Sequence, residues 1–288
     1  MCRVRLALVS SALTICLFAG GAQFALGQAA ARATPAATPA DVHANVTEAT
    51  VDSSLADDPA VDKMLTVYSP KVRELDEVIG KLKGDLTKGG IGAGTLGNFV
   101  TDGMRAEASR KLSQPIVLAV TNAGGLRKNI IDGDLRERDI FELMPFDNAL
   151  VAFDLTGAQV LDLLRIVVSY RDAQSGARIK YRMGNYKKPE LESARLLIAG
   201  QEKEIDPAAI YTVISIDYLW KRRATKVLET EGDYSVLREA KNISPLGITI
   251  RDALIQYVKR ETAAGREVKS PPDGRFVLGY PPEKGQPQ

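Results

Sequence analysis

The fold is decided by one stretch, Ile116-Val117-Leu118-Ala119-Val120-Thr121-Asn122-Ala123-Gly124-Gly125-Leu126-Arg127. Its first five residues are apolar and include β-branched side chains, which predicts a buried strand that ends where Thr121 begins. Two glycines then let the backbone turn tightly and approach a bound group. Asn122 offers an amide donor and acceptor, and Arg127 offers a guanidinium fork suited to carboxylate or phosphate. We expect a ligand-binding turn at the end of a buried strand.

A second motif follows, Leu143-Met144-Pro145-Phe146-Asp147-Asn148, between a predicted helix and a predicted strand. Pro145 fixes the chain there and presents Phe146 as a flat aromatic face. Other interpretations stay open at this point. Asn122 could only cap its turn, the glycines could only serve left-handed backbone geometry, and Phe146 could belong to the core. Arg127 could form a surface salt bridge.

These two motifs resemble, in order, the signature of the C-terminal domain of 5'-nucleotidases. The upstream run Leu96-Gly97-Asn98-Phe99-Val100-Thr101-Asp102-Gly103-Met104-Arg105 and the turn Leu155-Thr156-Gly157-Ala158 are similar to the same domain, so the resemblance covers the chain from near Leu75 to Gly279. It implies a mixed α/β fold with helices flanking packed β-sheets. It also implies a pocket that recognises a nucleoside or nucleotide.

The resemblance assigns roles to individual residues. Asn122 and Arg127, with Gly124 and Gly125 in the same turn, match positions that hold the nucleotide. Phe146 matches one of two rings that sandwich the base, and we place Tyr218 as the second ring and Asp233 as the acceptor for a sugar hydroxyl. The chain departs from the family pattern in two places. A basic insertion, Lys221-Arg222-Arg223-Ala224-Thr225-Lys226, precedes the turn at Glu231, and Lys88-Gly89-Gly90-Ile91-Gly92-Ala93-Gly94 stands where the family carries a phosphate-side arginine.

The resemblance assigns catalysis to a different, N-terminal metallophosphatase domain, which holds two metal ions and a catalytic histidine. Such a centre needs several histidines beside carboxylates, because together they hold the metals and activate water. This chain has one histidine, His43, and no segment before Pro59 is long enough for that domain. We expect no catalytic residue and no metal or other cofactor bound by this chain. Divalent metals are expected only in a separate metallophosphatase chain that acts as its partner.

The N-terminus predicts export. Arg3 and Arg5 precede an apolar stretch and then small residues up to Gly27, which is typical of a signal peptide over residues 1–27. The apolar stretch is shorter than the roughly 20 residues of a spanning helix, so we expect no transmembrane anchor after cleavage. The mature protein would be periplasmic or extracellular. Cys2 and Cys16 fall within the removed segment, and the bulky Ile15 argues against lipid attachment at Cys16.

Composition sets the remaining boundaries. Residues 28–58 are rich in Ala, Thr and Pro and predict a disordered tether that includes His43. One domain is expected over residues 59–280, followed by a flexible tail over 281–288.

The net charge of the chain is +2, which implies no strong positive electrostatic field that would attract polyanions. Nucleic acid is therefore excluded as a partner.

Hydrophobic spacing predicts the elements within this domain. We predict helices over residues 59–75, 96–112, 157–170 and 248–261, and strands over 78–86, 116–120, 179–181, 194–198, 211–216 and 275–278. Helices and strands alternate along the chain, so the fold class is mixed α/β. On the helix predicted over residues 96–112, we interpret Asp102 and Arg105 as charges that are solvated or that pair helices.

Three hypotheses for function follow. The leading one is an exported recognition domain that acts in nucleotide breakdown with a separately encoded metallophosphatase. The second is a stand-alone binding protein for a nucleoside or similar small ligand. The third is an interaction module whose pocket has decayed. On this argument, a hydrolase label carried over from the family would describe ancestry more than autonomous activity.

Overall fold

A computed structural model of the chain describes residues 47–221 and 233–279. The predicted signal peptide, His43, both cysteines, most of the basic insertion and the tail lie outside the described residues, as does most of the tether. The chain divides into two units, Met1–Ala56 and Asp57–Gln288. In the first unit residues 47–56 are exposed, and the Ser54 amide donates to Asp52 Oδ1 at 2.9 Å. The helices and strands that follow belong to the second unit.

The described residues contain seven α-helices and eleven strands. The helices are α1 Pro59–Glu74, α2 Gly94–Leu112, α3 Glu137–Leu143, α4 Gly157–Ser169, α5 Asp217–Lys221, α6 Ser235–Arg238 and α7 Ile250–Ala263. The strands are β1 Val78–Leu82, β2 Leu118–Thr121, β3 Gly133–Arg136, β4 Ala149–Thr156, β5 Ala173–Ser175, β6 Ala177–Met183, β7 Pro189–Ile198, β8 Gln201–Glu204, β9 Ile210–Ile216, β10 Lys241–Thr249 and β11 Phe276–Leu278. The predicted mixed α/β class is confirmed.

A five-stranded sheet, in the order β10-β4-β9-β2-β5, is the centre of the fold. β2 and β9 run parallel, with Leu118 opposite Val213. β4 runs antiparallel to β9, with Leu150 opposite Ile216, and β5 runs antiparallel to β2. One end of the strands therefore brings together the ends of β2 and β9 and the starts of β4 and β5. We call this end of the sheet the β2 C-terminal edge.

Two further sheets complete the architecture, a four-stranded sheet in the order β11-β6-β7-β8 and the pair β1-β3. The β5 and β6 strands belong to different sheets, and the single residue Gly176 connects them. The α2 helix packs on β2, β5 and β9, and α7 packs on α2 and β1. The α4 helix contacts β4 and β9 of one sheet and β7 of the other. Helices thus cover the sheets around one continuous hydrophobic core.

The pairing of α2 with α7 includes a buried charge. Glu107 is fully buried on α2, and its carboxylate pairs with Arg110 at 2.9 Å and with Arg260 of α7. Phe99 and Tyr257 add an aromatic contact between the same helices, with ring centroids 6.3 Å apart. A buried carboxylate needs such cationic partners, because an unpaired charge in the interior is strongly destabilising. These contacts fix α7 against the sheet-covering helix α2.

Two differences from the predicted elements have local causes. The strand predicted over residues 78–86 ends at Leu82, because Gly84 adopts a φ of 85° that breaks the extended backbone. The β10 strand is missing from the prediction because Pro245 lies within it. Among the described strands it pairs only with β4, as an edge strand, where a residue without an N–H is tolerated.

The α1 helix forms where its apolar spacing predicts it, but its apolar residues are not buried. Asp58 begins the helix by accepting hydrogen bonds from the amides of Ala60 and Val61 at 2.8 and 3.4 Å. Periodicity therefore predicted the helix and not its exposure. Of the helices within the described residues, α1 included, none combines the length and the apolar character that a membrane span requires.

Candidate functional site

Six of the seven predicted site residues line one cavity of about 160 Å³ at the β2 C-terminal edge. Its walls are Asn122, Gly124, Gly125, Arg127, Phe146, Asn148 and Tyr218. Whole drug-sized ligands occupy pockets of roughly 300–1,000 Å³, so a cavity of this size suits a ring system rather than a complete nucleotide. Asn148 was not predicted as a site residue, although it is the last residue of the second motif.

The turn after β2 is a short 3₁₀ helix, Ala123–Gly125. Its hydrogen bonds run from Gly125 N to Asn122 O at 3.2 Å and from Leu126 N to Ala123 O at 3.1 Å. Neither Gly124 nor Gly125 has a positive φ. The interpretation that these glycines serve left-handed geometry is therefore wrong, because a 3₁₀ turn uses right-handed backbone angles.

The amide of Asn122 is the most informative group in the cavity. The residue is only 6% exposed, and its side chain makes no capping hydrogen bond to the turn that it precedes. Within residues 47–221 and 233–279, no partner donates a hydrogen bond to Asn122 Oδ1. A buried polar atom without a partner costs about 1–3 kcal/mol, so it calls for an explanation. Since Asn122 also lines the cavity, a ligand bound there would lie against this residue.

An internal carboxylate holds this turn in place. Asp172, which precedes β5, is buried at the same sheet edge and accepts hydrogen bonds from Ala123 N at 2.7 Å and from the Tyr234 hydroxyl at 2.6 Å. Sequence reasoning missed this support. Tyr234 adjoins the predicted Asp233, but no local pattern distinguishes Asp172 from a surface acid.

We expect Asp172→Ala to lower the free energy of unfolding by about 2 kcal/mol, because it leaves an amide and a hydroxyl buried without their acceptor. Urea denaturation followed by circular dichroism measures this change. Asp162→Ala is the matched control, since Asp162 forms an exposed ion pair with Arg165 on α4. That variant should change stability by less than about 0.5 kcal/mol. Equal losses in the two variants would contradict a supporting role for Asp172.

The second motif is held from outside by α7. Arg251 donates to Met144 O at 3.2 Å, pairs with Asp147, and lies 4.6 Å from the centroid of the Phe141 ring. Phe146 is 43% exposed, so the interpretation of this ring as core is wrong. The loop is fixed while its aromatic side chain remains accessible at the cavity.

The second predicted ring enters from β9. This strand continues into α5, where Asp217 Oδ1 accepts from the amide of Ala149 at 3.0 Å and so ties α5 to the start of β4. The next residue, Tyr218, is 38% exposed and lines the cavity. Two accessible aromatic side chains, from different parts of the chain, therefore border the same small space.

The charged residues near the cavity differ in their roles. Arg127 Nη1 donates to Gly124 O at 3.2 Å, and within the part of the chain that the structure describes the guanidinium forms no ion pair. Lys88 Nζ donates to Leu126 O at 3.1 Å, so a lysine stands beside the turn in the loop that lacks the family's arginine. Asp233 is exposed, pairs with Arg238 at 2.9 Å and does not line the cavity. Its contact with a sugar stays a prediction.

Metal-binding residues do not cluster in the described segments. Across 47–221 and 233–279, no three His, Cys, Asp or Glu side chains come together in an arrangement that could hold a metal ion. The expected division between this chain and a metal-bearing partner stays a prediction.

Comparison with known proteins identifies the family. The model of the 5'-nucleotidase C-terminal domain matches residues 78–225, just over half of the chain. The chain therefore belongs to the 5'-nucleotidase C-terminal domain family. The predicted resemblance is confirmed.

Its relatives are considerably longer proteins. The chain is 30% identical over 195 residues to the trifunctional nucleotide phosphoesterase protein YfkN of Bacillus subtilis, covering 66% of this chain and 13% of that protein. It is 26% identical over 170 residues to the 5'-nucleotidase of Vibrio vulnificus, covering 57% of this chain and 30% of that protein. The chain thus spans less than a third of the length of these two relatives.

Solved structures share the fold. The 5'-nucleotidase precursor of Thermus thermophilus superimposes with a TM-score of 0.63 at 23% identity, covering 77% of this chain and 43% of that chain. The NAD nucleotidase of Haemophilus influenzae gives a TM-score of 0.57 at 18% identity, covering 77% and 41%. At these identities the likeness establishes the architecture, and the predicted fold is confirmed.

Proposed function

We propose that this chain is an exported nucleoside- or nucleotide-recognition domain that serves nucleotide breakdown, with catalysis supplied by a separate metallophosphatase chain. One observation carries the proposal. Asn122, whose buried Oδ1 has no hydrogen-bond partner within the described residues, lines a small cavity that is bordered by the accessible side chains of Phe146 and Tyr218.

These groups match the chemistry of a nucleobase. A base has two apolar faces that stack on aromatic rings and an edge of hydrogen-bond donors and acceptors. In the proposed complex Phe146 and Tyr218 stack on the base, and Asn122 bonds to its edge. Arg127 extends its remaining donors toward the sugar or the phosphate, for which a guanidinium fork is suited.

The proposed division of labour rests on the residue types that a metal centre needs. The sequence contains one histidine, whereas a binuclear phosphatase centre uses several. Recognition by this chain and hydrolysis by a metal-bearing partner fit this composition.

Calorimetric titration of the full mature chain with adenosine and AMP, with and without Mg²⁺ or Mn²⁺, tests the proposal. A phosphate-release assay is run on the same samples. We expect saturable binding of at least one ligand and no release of phosphate. Metal-dependent release by the chain alone would refute the need for a partner, and the absence of binding would favour an interaction module with a decayed pocket.

Replacing Phe146 by Ala should weaken adenosine binding by about tenfold or more, since loss of one stacking ring costs about 1–3 kcal/mol. The affinity is measured by the same titration. Tyr186→Ala is the matched control, because Tyr186 is a fully exposed aromatic residue that does not line the cavity. It should bind within twofold of wild type. If both variants bind equally well, adenosine does not occupy this cavity.

A further inference from the structure

A second and larger cavity lies at the opposite end of β2. It has a volume of about 920 Å³ and is formed by α2, the segment before β2, the β5-to-β6 turn and the end of β7. Four arginines and two aspartates are among its lining residues: Asp102, Arg105, Arg110, Arg178, Asp273 and Arg275. We call this cavity the arginine cleft.

Both aspartates of the cleft are engaged by one arginine. Arg275 is buried, and its guanidinium donates to Asp102 Oδ2 at 2.9 Å and to Asp273 Oδ1 at 3.0 Å. Asp102 also accepts from the Ser175 hydroxyl at 2.5 Å. The interpretation of Asp102 as a solvated or helix-pairing charge is therefore wrong, because its partners come from other elements. Arg275 supplies one positive charge to these two carboxylates, and Asp273 pairs with Arg178 as well, at 3.3 Å.

Arg105 differs from the other arginines of the cleft. Among residues 47–221 and 233–279, nothing forms a hydrogen bond or an ion pair with its guanidinium, although the side chain is partly buried. Burial lowers the pKa of Arg105, nearby Asp102 raises it, and the charge of Arg275 lowers it further. An arginine stays protonated even when it is partly buried, so Arg105 is a partly desolvated cation. No anion within the described residues contacts it.

Arg178 adds unused donors to the same cleft. Its Nη1 atom is buried and, within the described segments, has no hydrogen-bond partner. Its guanidinium forms ion pairs with Asp273 Oδ2 at 3.3 Å, an oxygen that also accepts from Arg275, and with Glu202 Oε1 at 3.9 Å. Arg110, in contrast, is bonded to Glu107 at 2.9 Å and to Gln256 at 3.2 Å. Arg105 and Arg178 therefore line one concave space with donors that no described group accepts from, and of the two Arg178 is ion-paired within the described residues whereas Arg105 is not.

We propose that the arginine cleft binds a small-molecule oxyanion, carrying phosphate or carboxylate groups, through Arg105 and Arg178. Guanidinium groups bond to the two oxygens of such groups in a planar, bidentate geometry, and the anion would give Arg105 the contacting acceptor that it lacks within the described residues. The volume falls within the range of small-molecule pockets, roughly 300–1,000 Å³. The cleft is separate from the cavity of about 160 Å³ at the β2 C-terminal edge, the proposed nucleoside cavity, because Ile116 and Asn122 flank β2 at opposite ends.

Titration with pyrophosphate and with citrate, in low-salt buffer, tests this site and distinguishes phosphate from carboxylate ligands. Wild type is expected to bind at least one of them saturably. Arg105→Gln should weaken that binding by about tenfold or more, because it removes a charged hydrogen-bond donor. Lys111→Gln is the matched control, since it removes one charge from the exposed end of the same helix and does not line the cleft. Its affinity should stay within twofold of wild type.

Arg178→Gln and a competition experiment complete the design. Arg178→Gln should reproduce the loss, and saturating adenosine should leave anion affinity unchanged. Failure of wild type to bind either anion at millimolar concentration would overturn the proposal. Equal binding by wild type and Arg105→Gln would do the same, and displacement of the anion by adenosine would place it in the nucleoside cavity instead. Arg105→Gln is expected to fold, because no hydrogen bond or ion pair within the described fold depends on its guanidinium.

Discussion

Gly176→Ala is expected to lower the free energy of unfolding by about 3 kcal/mol or more, through combined backbone strain and overpacking. Gly176 has a φ of 116°, which residues with a Cβ rarely adopt. An added Cβ would also overlap the carbonyl oxygen of Val117. Since Gly176 alone connects β5 to β6, no neighbouring residue can absorb the shift, and the passage between two sheets would be disturbed. Urea denaturation monitored by circular dichroism measures the loss.

Gly200→Ala separates the two contributions to this effect. Gly200 also has a positive φ, 77°, but an added Cβ there would meet no atom within 4 Å. Only the strain of left-handed backbone applies, so the expected loss is about 1–2 kcal/mol. If Gly176→Ala is no more damaging than Gly200→Ala, the overlap with Val117 is relieved by local movement. The connection between the sheets would then be more adaptable than its geometry implies.

Residues of the cavity at the β2 C-terminal edge could be predicted because they belong to short, continuous motifs. Asn122 and Arg127 flank a glycine pair directly after an apolar strand, and Phe146 follows a proline. The sheet explains why motifs that are separate in sequence meet in space. Two parallel strands end, and an antiparallel strand begins, at the same edge.

Supporting and distant residues could not be predicted, because they act through tertiary contacts. Asp172 supports the turn from beside a neighbouring strand, and Arg251 reaches the second motif from a helix more than 100 residues later. Neither residue belongs to a local pattern of spacing or composition. Arg275 pairs with Asp102 only because the fold places the C-terminal segment beside α2. A helical pattern likewise located α1 without revealing that its apolar side chains stay exposed.

Arg275→Met is expected to lower stability by about 2–3 kcal/mol at neutral pH, because it removes the cation that two partly buried carboxylates share and leaves Asp273 with Arg178 as its remaining partner. Asp102 and Asp273 are both bonded to this guanidinium, whose side chain is 9% exposed. Arg182→Met is the matched control. Arg182 pairs with Glu190 on the surface, where both side chains are well exposed, and its loss should cost less than about 1 kcal/mol.

The effect of Arg275→Met should depend on pH in a defined direction. Burial raises the pKa of Asp273, but hydrogen bonds and charge attraction from Arg275 outweigh it and hold that pKa below its ordinary value of 3.8. A carboxylate whose pKa is lowered by folding makes its full contribution to stability when the pH is above the pKa that it has in the unfolded chain. It loses this contribution as the pH falls through the pKa that it has in the folded protein. The stability difference between wild type and Arg275→Met should therefore be constant near neutrality and narrow below about pH 4. Urea midpoints across this range test it. A difference that persists unchanged in acid would mean that Arg275 stabilises the fold through packing rather than through its charge.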